Sequence, residues 1–367
     1  MTIKSKDLAK LLGVCPATVS LLINNKPGIS DSLREKLTKQ IIELGYGDML
    51  KTNTAAQNTE NLPVSSKRHT IVYAIYTLDD LGTDESGLYA HVLEGCEIQA
   101  RELGFDIQIV HIDSKCSCGI KGCINVDECI GIIVQSYQIS EWMYEDLVST
   151  GLMFVAVDRY NYTTNLSSVC VNNEDGIYLA VQHLFELGHR NIGYITSGAD
   201  VNTLTERRRC YHQALREFHL VDRNDFRIYT NTIPNKPTQV YTALLNQWKE
   251  MEELPTAFIC ENDIIAVQVI RALRKVGLRV PHDISVVGFD DRSVSHWTDP
   301  PLTTVRIHCH LMGRQSVQLL LNIIDMKKAG FIGMPYKMNI GVDLVTREST
   351  CPPSTDIIKL NQMSFDD

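Results

Sequence analysis

The first 46 residues carry three short runs whose apolar positions recur at helical spacing. The first run stops at Gly13, which can end a helix because glycine adopts positive φ at no steric cost. The second starts at Pro16, since proline fits the first helical turn, and stops at the turn signal "NNKPG". The third stops at Gly45. Three short helices with a glycine turn between the first two predict a helix-turn-helix domain over 1–46.

Residues 47–69 are polar and lack apolar periodicity, which predicts a linker. Short apolar runs then alternate with helical stretches through 70–350, a predicted second domain, and 351–367 is a predicted C-terminal tail. The strand candidates are "TIVYAIY", "DIQIVHI", "CIGIIVQS", "LMFVAVD", "SVCVN", "NIGYITS", "TAFICE" and "ISVVGFD". The clearest helix candidates span 88–103, 176–187, 205–218 and 264–276. Alternating buried strands and helices predict parallel sheets, and so many strands predict two α/β lobes.

Composition places the chain among ordinary globular proteins, with 44% hydrophobic and 22% charged residues over 367 positions. No apolar run approaches the roughly 20 residues that cross a bilayer. The N-terminal stretch "MTIKSKDLAK" lacks the apolar core of a signal peptide. We therefore expect a cytoplasmic protein without a membrane partner, whose 11 cysteines are mostly reduced.

The net charge of −9 argues, taken whole, against a nucleic-acid partner. Its distribution changes this picture, because residues 1–51 hold eight basic and five acidic groups and are therefore locally positive. A positive head on an acidic body fits DNA contact that is confined to the head.

An ordered set of motifs extends along the chain. After the head come "YAHVLEGCEIQARELGF", "AVDRYN", "LFELGHRNIGYITSG", "ERRRCYHQALREF", "AFICENDIIAVQVIRALRKVGLRVPHDISVVGFDD", "PPLTTVRIHCHLMGR" and "DLVTREST". With these motifs the chain resembles the lactose-repressor (LacI) family of bacterial transcription regulators over nearly its whole length. The resemblance implies an N-terminal all-α helix-turn-helix domain and an α/β periplasmic-binding-protein-like core of two doubly wound parallel-sheet lobes. It also implies a small-molecule effector, a carbohydrate in the first place, and homodimers or tetramers on palindromic operator DNA.

In this family the second helix enters the major groove, with its first residues nearest the bases. Ala17 and Thr18 can offer a methyl or a hydroxyl group to base edges, and Ser20 or Asn24 can reach phosphate. Exposed helix surface is the alternative interpretation of these small residues. The predicted DNA-binding set is Ser5, Pro16, Ala17, Thr18, Ser20, Leu21, Asn24 and Lys26.

Three positions depart from the family pattern. Leu21 stands where an Arg is common, which removes a bidentate guanine contact worth about 1–3 kcal/mol. Cys15 replaces the usual Ser cap, at a cost of about 1 kcal/mol in helix stability. The segment after Tyr46 lacks the Ala-Arg-x-Leu of the family's hinge helix, so an apolar wedge in the minor groove is not predicted unless Leu50 takes that place.

The predicted effector site centres on Arg207, which matches the Arg of the family's R-x-x-G-Y motif, with Cys210 in place of the Gly. In the family this Arg clamps effector hydroxyls. Carboxylate, amide and guanidinium groups suit a polyhydroxylated ligand because each makes paired hydrogen bonds. Three further polar candidates fall at strand ends, where α/β folds present ligands: Asp158, Asn262 and Asp290.

Two aromatic residues are candidates for stacking on a sugar face, namely Tyr76 after the first strand and Trp297 before "DPPLTT". Ordinary lobe packing is the alternative for both. Asp263 and Asp291 are predicted to have helix-capping or structural roles.

The stretch "KCSCGIKGCINVDEC" is unusual for the family, because it crowds four cysteines into one segment. Thiolates select zinc or iron–sulfur clusters, so Cys116, Cys118, Cys123 and Cys129 form a candidate metal site. The spacing matches no standard zinc template, and Cys129 adjoins a predicted strand. A reversible disulfide and simple burial of Cys129 are the alternatives. No other cofactor is predicted.

Three functions remain open at this point. The first is a ligand-gated DNA-binding regulator, in particular a repressor. The second is a solute-binding protein or an enzyme that uses the cleft, although neither a signal segment nor a placed nucleophile and base is evident. The third is a DNA-binding regulator that senses metal or redox state through its cysteines.

Overall fold

The computed structural model describes residues 9, 11–23, 30–43, 70–77, 87–113, 118–136, 139–159, 166–199, 201–230, 237–249, 251, 253–331 and 335–354. The chain divides into two compact units, Met1–Ser66 and Lys67–Asp367, and each is described by itself below. Several predictions lie outside the described residues: the linker 47–69, the tail beyond 354, Ser5, Asn24, Lys26 and Cys116.

Within the described residues, the first unit contains the second and third of the three helices that the apolar spacing predicts. Helix α1 spans Pro16–Ile23 and α2 spans Asp31–Glu43, and the chain turns before α1 at Gly13 with φ 66°. Cys15 lies at the start of α1, where its backbone oxygen accepts the amide of Thr18. A small apolar core holds these elements together: Ala9, Val19, Leu22, Leu37 and Ile41.

The second unit contains twelve strands within the described residues. They are β1 Thr70–Thr77, β2 Asp106–Asp113, β3 Cys129–Ser136, β4 Met153–Val157, β5 Ser167–Val171, β6 Ile192–Thr196, β7 Arg227–Tyr229, β8 Ala257–Cys260, β9 Ser285–Asp290, β10 Thr303–Ile307, β11 Lys337–Ile340 and β12 Val342–Val345. One six-stranded sheet has the order β11-β5-β4-β3-β1-β2 and the other β12-β10-β9-β8-β6-β7. The pairs are parallel except β10 with β12.

Helices surround both sheets. They are α3 Leu88–Glu102, α4 Glu141–Ser149, α5 Asn173–Glu186, α6 Asn202–Glu217, α7 Pro237–Lys249, α8 Asp263–Lys275, α9 Val294–Trp297 and α10 Cys309–Lys328. The prediction of two α/β lobes is confirmed. Helices α5 and α6 begin three residues earlier than predicted, because polar residues without apolar spacing form their first turns; Asn172 caps α5 by accepting the Asp175 amide.

The chain passes between the lobes at three described places. Strand β5 of the first sheet leads into α5 beside the second, β10 of the second leads into α10, and β11 leads into β12. Both lobes are therefore built from sequence-distant segments, and the carboxyl ends of their parallel strands carry the polar residues described next. Within the described residues, no helix is long and apolar enough to cross a membrane.

Candidate functional site

Polar residues end two central strands, one in each sheet, with unusual backbone geometry. Asp158 directly follows β4 and has φ 55°, and Asp290 ends β9 with φ 106°. Asp291 has φ 53°. Non-glycine residues in this region cost of order 1–3 kcal/mol each and cluster at ligand sites, where the surrounding structure holds them in place. The strained backbone conformations therefore occur at strand ends that the sequence analysis predicted to bind the effector.

Helix α6 connects these two strand ends. Thr203 and Arg207 lie one turn apart on it and share a face. The Thr203 hydroxyl donates to Oδ1 of Asp158 at 3.2 Å, and Nη1 of Arg207 donates to Oδ1 of Asp290, also at 3.2 Å. A single helical turn thus links the polar edge of the first sheet to that of the second.

Arg207 is buried, with only 3% of its surface exposed, and protein groups orient its guanidinium. Its Nε donates to Oδ1 of Asn173 at 2.8 Å, and Nη1 donates to the backbone oxygen of Glu261 at 2.6 Å. The guanidinium carbon lies 3.7 Å from the ring centroid of Phe289. Among the described residues Nη2 makes no hydrogen bond, so two N–H donors remain for a ligand.

Asp290 pairs with a second guanidinium, because its Oδ2 accepts Nε of Arg292 at 2.9 Å. Both residues line a cavity of about 510 Å³. Its walls come from the β9–α9 turn, the start of α3 and the start of α10, and hence from both lobes. This volume falls within the range of small-molecule sites.

A second buried cluster lies at the carboxyl ends of the strands of the first sheet. The Tyr89 hydroxyl donates to Oδ2 of Asp158 at 3.0 Å and accepts Nη2 of Arg159 at 3.0 Å. Nε of Arg159 also donates to the backbone oxygen of Ser136. Asp158 therefore sits in a fixed network of donors that spans two elements of the first lobe and α6 of the second.

Sequence reasoning missed several residues that contact the predicted ones, namely Tyr89, Arg159, Asn173, Thr203, Glu261 and Arg292, and it also missed Glu206, which contacts Asn173. Two of them could have been found from their place in the sequence, since Arg159 directly follows Asp158 and Arg292 comes two residues after Asp290. Glu206 gave no such signal. It accepts Nδ2 of Asn173 at 2.7 Å, and burial raises its pKa.

Two predicted effector ligands make structural contacts in the fold. Asn262 is the N-cap of α8, where its Oδ1 accepts the amide of Ile265 at 3.0 Å. Tyr76 is only 2% exposed, packs in the core of the first lobe and donates its hydroxyl to Asp146 at 2.8 Å. The predicted stacking role of Tyr76 was wrong, because its ring has no open face.

The structural roles predicted for Asp263 and Asp291 agree with their contacts. Asp263 accepts the Thr304 hydroxyl and the Arg292 amide, both at 2.6 Å, and Asp291 pairs with Arg306 and Arg347. Gly288 makes room for Asp263, since a Cβ there would lie 2.2 Å from its Oδ1.

Trp297 ends α9 and is 86% exposed, so core packing does not account for it, and its stacking role stays a prediction.

The candidate DNA-binding residues lie on and around α1. Pro16 and Ser20 are exposed, and Thr18 and Leu21 are half-buried. The side chain of Ala17 lies outside the described residues. The exposed face of α1 is thus lined by small groups, and base contact by these residues stays a prediction.

The cysteine segment does not form the predicted metal set among its described members. Cys129 is buried in β3, which raises the pKa of its thiol, and it packs in the core of the first lobe. The sulfurs of Cys118 and Cys123 lie 3.9 Å apart. In the described part of the chain, no three residues that include these cysteines bring their ligand atoms close enough to hold one ion. Burial of Cys129 explains this difference.

The buried carboxyl group of Asp263 should make the free energy of unfolding depend on pH. Burial and the nearby charge of Asp290 raise its pKa to about 8, and hydrogen bonds from Thr304 and Arg292 oppose that rise. Because the unfolded chain releases this proton near pH 4, the group destabilises the fold progressively as pH rises from about 4 to 8. We expect Asp263→Asn to raise the melting temperature relative to the parent more at pH 9 than at pH 5.

Asp291→Asn is the matched control for this pH series. Burial disfavours the charged form of Asp291, but hydrogen bonds from Arg347, Arg306 and Ser295 outweigh it and hold its pKa below the ordinary value. Its replacement should lower the melting temperature at both pH values. An equal effect of Asp263→Asn at pH 5 and pH 9 would show that its carboxyl group titrates normally.

Comparisons with known proteins agree with this arrangement. A model described as bacterial regulatory proteins, lacI family, matches residues 4–47, and one described as a periplasmic binding protein-like domain matches residues 181–350. The HTH-type transcriptional repressor PurR of Haemophilus influenzae (strain PittEE) is 28% identical over 349 residues, which cover 94% of this chain and 97% of that protein. PurR of Vibrio atlanticus (strain LGP32) is 29% identical over 329 residues, covering 88% and 92%.

Solved structures share the fold. The transcriptional regulator CelR in complex with cellobiose is 25% identical, with a TM-score of 0.64 over 95% of this chain and 100% of that chain. The lac repressor dimer bound to operator and the anti-inducer ONPF is 23% identical, with a TM-score of 0.60 over 96% and 100%. A LacI-family regulator from Enterococcus faecium with bound ribose is 20% identical, with a TM-score of 0.63 over 77% and 100%.

A helix-turn-helix unit followed by a two-lobed body with a polar cleft defines a DNA-binding transcriptional regulator rather than an enzyme. The chain has the helix-turn-helix domain of the lacI family of bacterial regulatory proteins and a periplasmic binding protein-like domain.

Proposed function

We propose that this regulator is a repressor that binds operator DNA through residues 1–46 and is controlled by a small carbohydrate held between its two lobes. The single observation that carries this proposal is Asp290, which pairs with the buried Arg207 and lines the cavity of about 510 Å³. A guanidinium with two N–H donors left, beside a carboxylate, matches the paired hydroxyl groups of a sugar.

The arrangement of the site links ligand binding to the position of the lobes. Thr203 and Arg207 on α6 reach strand ends of different sheets, and the cavity has walls from both lobes. A ligand that bridges these groups binds one lobe arrangement better than another, and that difference in affinity shifts the equilibrium between them. The structure of CelR, which matches nearly the whole chain, is a complex with cellobiose and supports the choice of a carbohydrate.

A homodimer is part of the proposal. The lac repressor structure with the same fold is a dimer on its operator. Two copies of a helix-turn-helix unit read the two halves of a palindromic site, and a single short α1 offers little contact area by itself. Within the cell we place this regulator in the cytoplasm, where operator DNA is found.

A sugar screen tests the ligand class. We expect at least one of cellobiose, glucose and ribose to raise the melting temperature of the full-length protein. At a hundred times its Kd, a ligand adds about 2.7 kcal/mol to the free energy of unfolding. Asp290→Asn should remove the shift, whereas Asp299→Asn, an exposed aspartate outside the cleft, should retain it. A shift that survives Asp290→Asn would place the sugar elsewhere.

A further inference from the structure

Two histidines and a glutamate meet on the surface of the first lobe, apart from the contacts of Arg207 and Asp158. His91 and Glu94 lie one turn apart on α3, and His310 lies in the first turn of α10. Nε2 of His310 is 2.8 Å from Oε2 of Glu94, and Nδ1 of His91 is 3.6 Å from the same oxygen. One ligand atom from each of the three residues lies within 4.8 Å of the others.

The two separations from the Glu94 oxygen lie close to those in the coordination shell of a zinc ion. Zinc binds imidazole nitrogen and carboxylate oxygen at about 2.0–2.2 Å, so neighbouring ligand atoms of a tetrahedral site are about 3.3 Å apart. The distances of 2.8 and 3.6 Å bracket this value. Two imidazoles with one carboxylate favour zinc, nickel, copper or iron over magnesium or calcium.

The backbones that carry the three residues are fixed by an unusually close contact between α3 and α10. A Cβ at Gly95 would lie 2.2 Å from the backbone oxygen of His310, and a Cβ at Gly313 would lie 2.0 Å from that of Val92. The thiol of Cys96 donates to the Gly313 oxygen at 3.3 Å. The two helices therefore touch at backbone distance, which leaves His310 little freedom to move away from α3.

We propose that His91, Glu94 and His310 form a binding site for a divalent transition metal, with Zn²⁺ as the best match. Three protein ligands leave a fourth position open for water or another donor. His91 and His310 also line the cavity of about 510 Å³ that contains Asp290 and Arg292, so the ion lies at its edge.

The charge state of the site suits a cation. The exposed carboxylate of Glu94 lies within reach of both imidazole rings. The nearby guanidinium of Arg306 is paired with Asp291 at 2.7 Å. Negative charge on Glu94 is therefore available to a metal ion.

The position of the site gives the metal a structural consequence. The chain enters the first lobe from β10 through His308, and His310 follows two residues later. A metal ion that binds both His310 and α3 would hold the segment between β10 and α10 against the first lobe. We expect bound metal to raise the melting temperature, because an ion that binds only the folded chain stabilises it.

The test is a titration of the metal-stripped, full-length protein with Co²⁺ and Zn²⁺. We expect one equivalent to bind, and Co²⁺ to give visible bands without the sulfur-to-cobalt charge-transfer absorption that thiolate ligands produce. His310→Ala and Glu94→Gln should each weaken binding at least tenfold, while His111→Ala, an exposed histidine on β2, should leave it unchanged.

Two results would overturn the proposal. Binding that persists in His310→Ala, or that shows the thiolate band, would place the metal at other residues such as the cysteine segment. No binding at equimolar micromolar concentrations would show that the three residues form only a surface hydrogen-bonded cluster. All three side chains are exposed, so the substitutions leave the folded core intact.

Discussion

Deletion of residues 1–46 is expected to abolish operator binding while the second unit still folds and binds its sugar. The reason is that the locally positive segment and the helix-turn-helix fall in the first unit, whereas the second unit has its own core and cleft. Binding by the full chain should also weaken steeply with salt, because phosphate contacts release counterions. Fluorescence anisotropy with a duplex selected from a random library measures both effects.

A point substitution tests DNA contact by α1 without removing the whole first unit. Ser20 is exposed on α1, so Ser20→Glu adds one negative charge to the face predicted to meet DNA. Gln318→Glu adds the same charge at an exposed position of α10 and serves as the matched control. We expect Ser20→Glu to weaken duplex binding at least tenfold and Gln318→Glu to leave it near normal. Retained binding after the deletion would assign DNA contact to another part of the chain.

Arg207→Ala is expected to abolish the effector response while basal DNA binding stays near normal. Charge-assisted hydrogen bonds are worth about 1.5–3 kcal/mol each, and loss of two N–H donors therefore weakens effector binding a hundredfold or more. The substitution also leaves Asp290 without one of its two partners, and breaking a buried pair costs about 3–5 kcal/mol. The melting temperature should fall as well.

Arg209→Ala is the matched control, because Arg209 is exposed two residues further along the same helix. Arg207→Lys tests geometry, since lysine keeps the charge but loses the planar fork. We expect Arg209→Ala to behave like the parent and Arg207→Lys to lose most of the response. A full effector response in Arg207→Ala would remove this residue from the ligand site.

The sequence predicted the strands of both sheets best where apolar runs are long. The run "CIGIIVQS" corresponds to β3, Cys129–Ser136, because a strand buried on both faces contains almost only apolar residues. Three short strands at sheet edges gave no such signal. Strand β7 has three residues, and β11 and β12 have four each, with polar residues among them. These strands form at sheet edges, where pairing with a neighbouring strand decides the structure.

The site was predictable only in part, for a related reason. Asp158 and Asp290 were found because strand ends are visible in the pattern. The sequence did not show that Asn173 orients Arg207, since these residues are on different helices and meet only through packing. It also did not show that Asn262, a predicted effector ligand, caps α8 through its Oδ1. Capping and ligand binding use the same polar groups, and only geometry distinguishes them.

The most direct test of the central claim is the affinity of the full-length protein for a selected operator duplex, measured with and without the sugar that stabilises it. Allosteric coupling is typically about 1–3 kcal/mol, so the sugar should change the Kd roughly 5–150-fold in the parent. In Arg207→Ala the same sugar should leave the Kd unchanged. A parent protein that selects a palindromic duplex but shows the same Kd with and without saturating sugar would contradict the account.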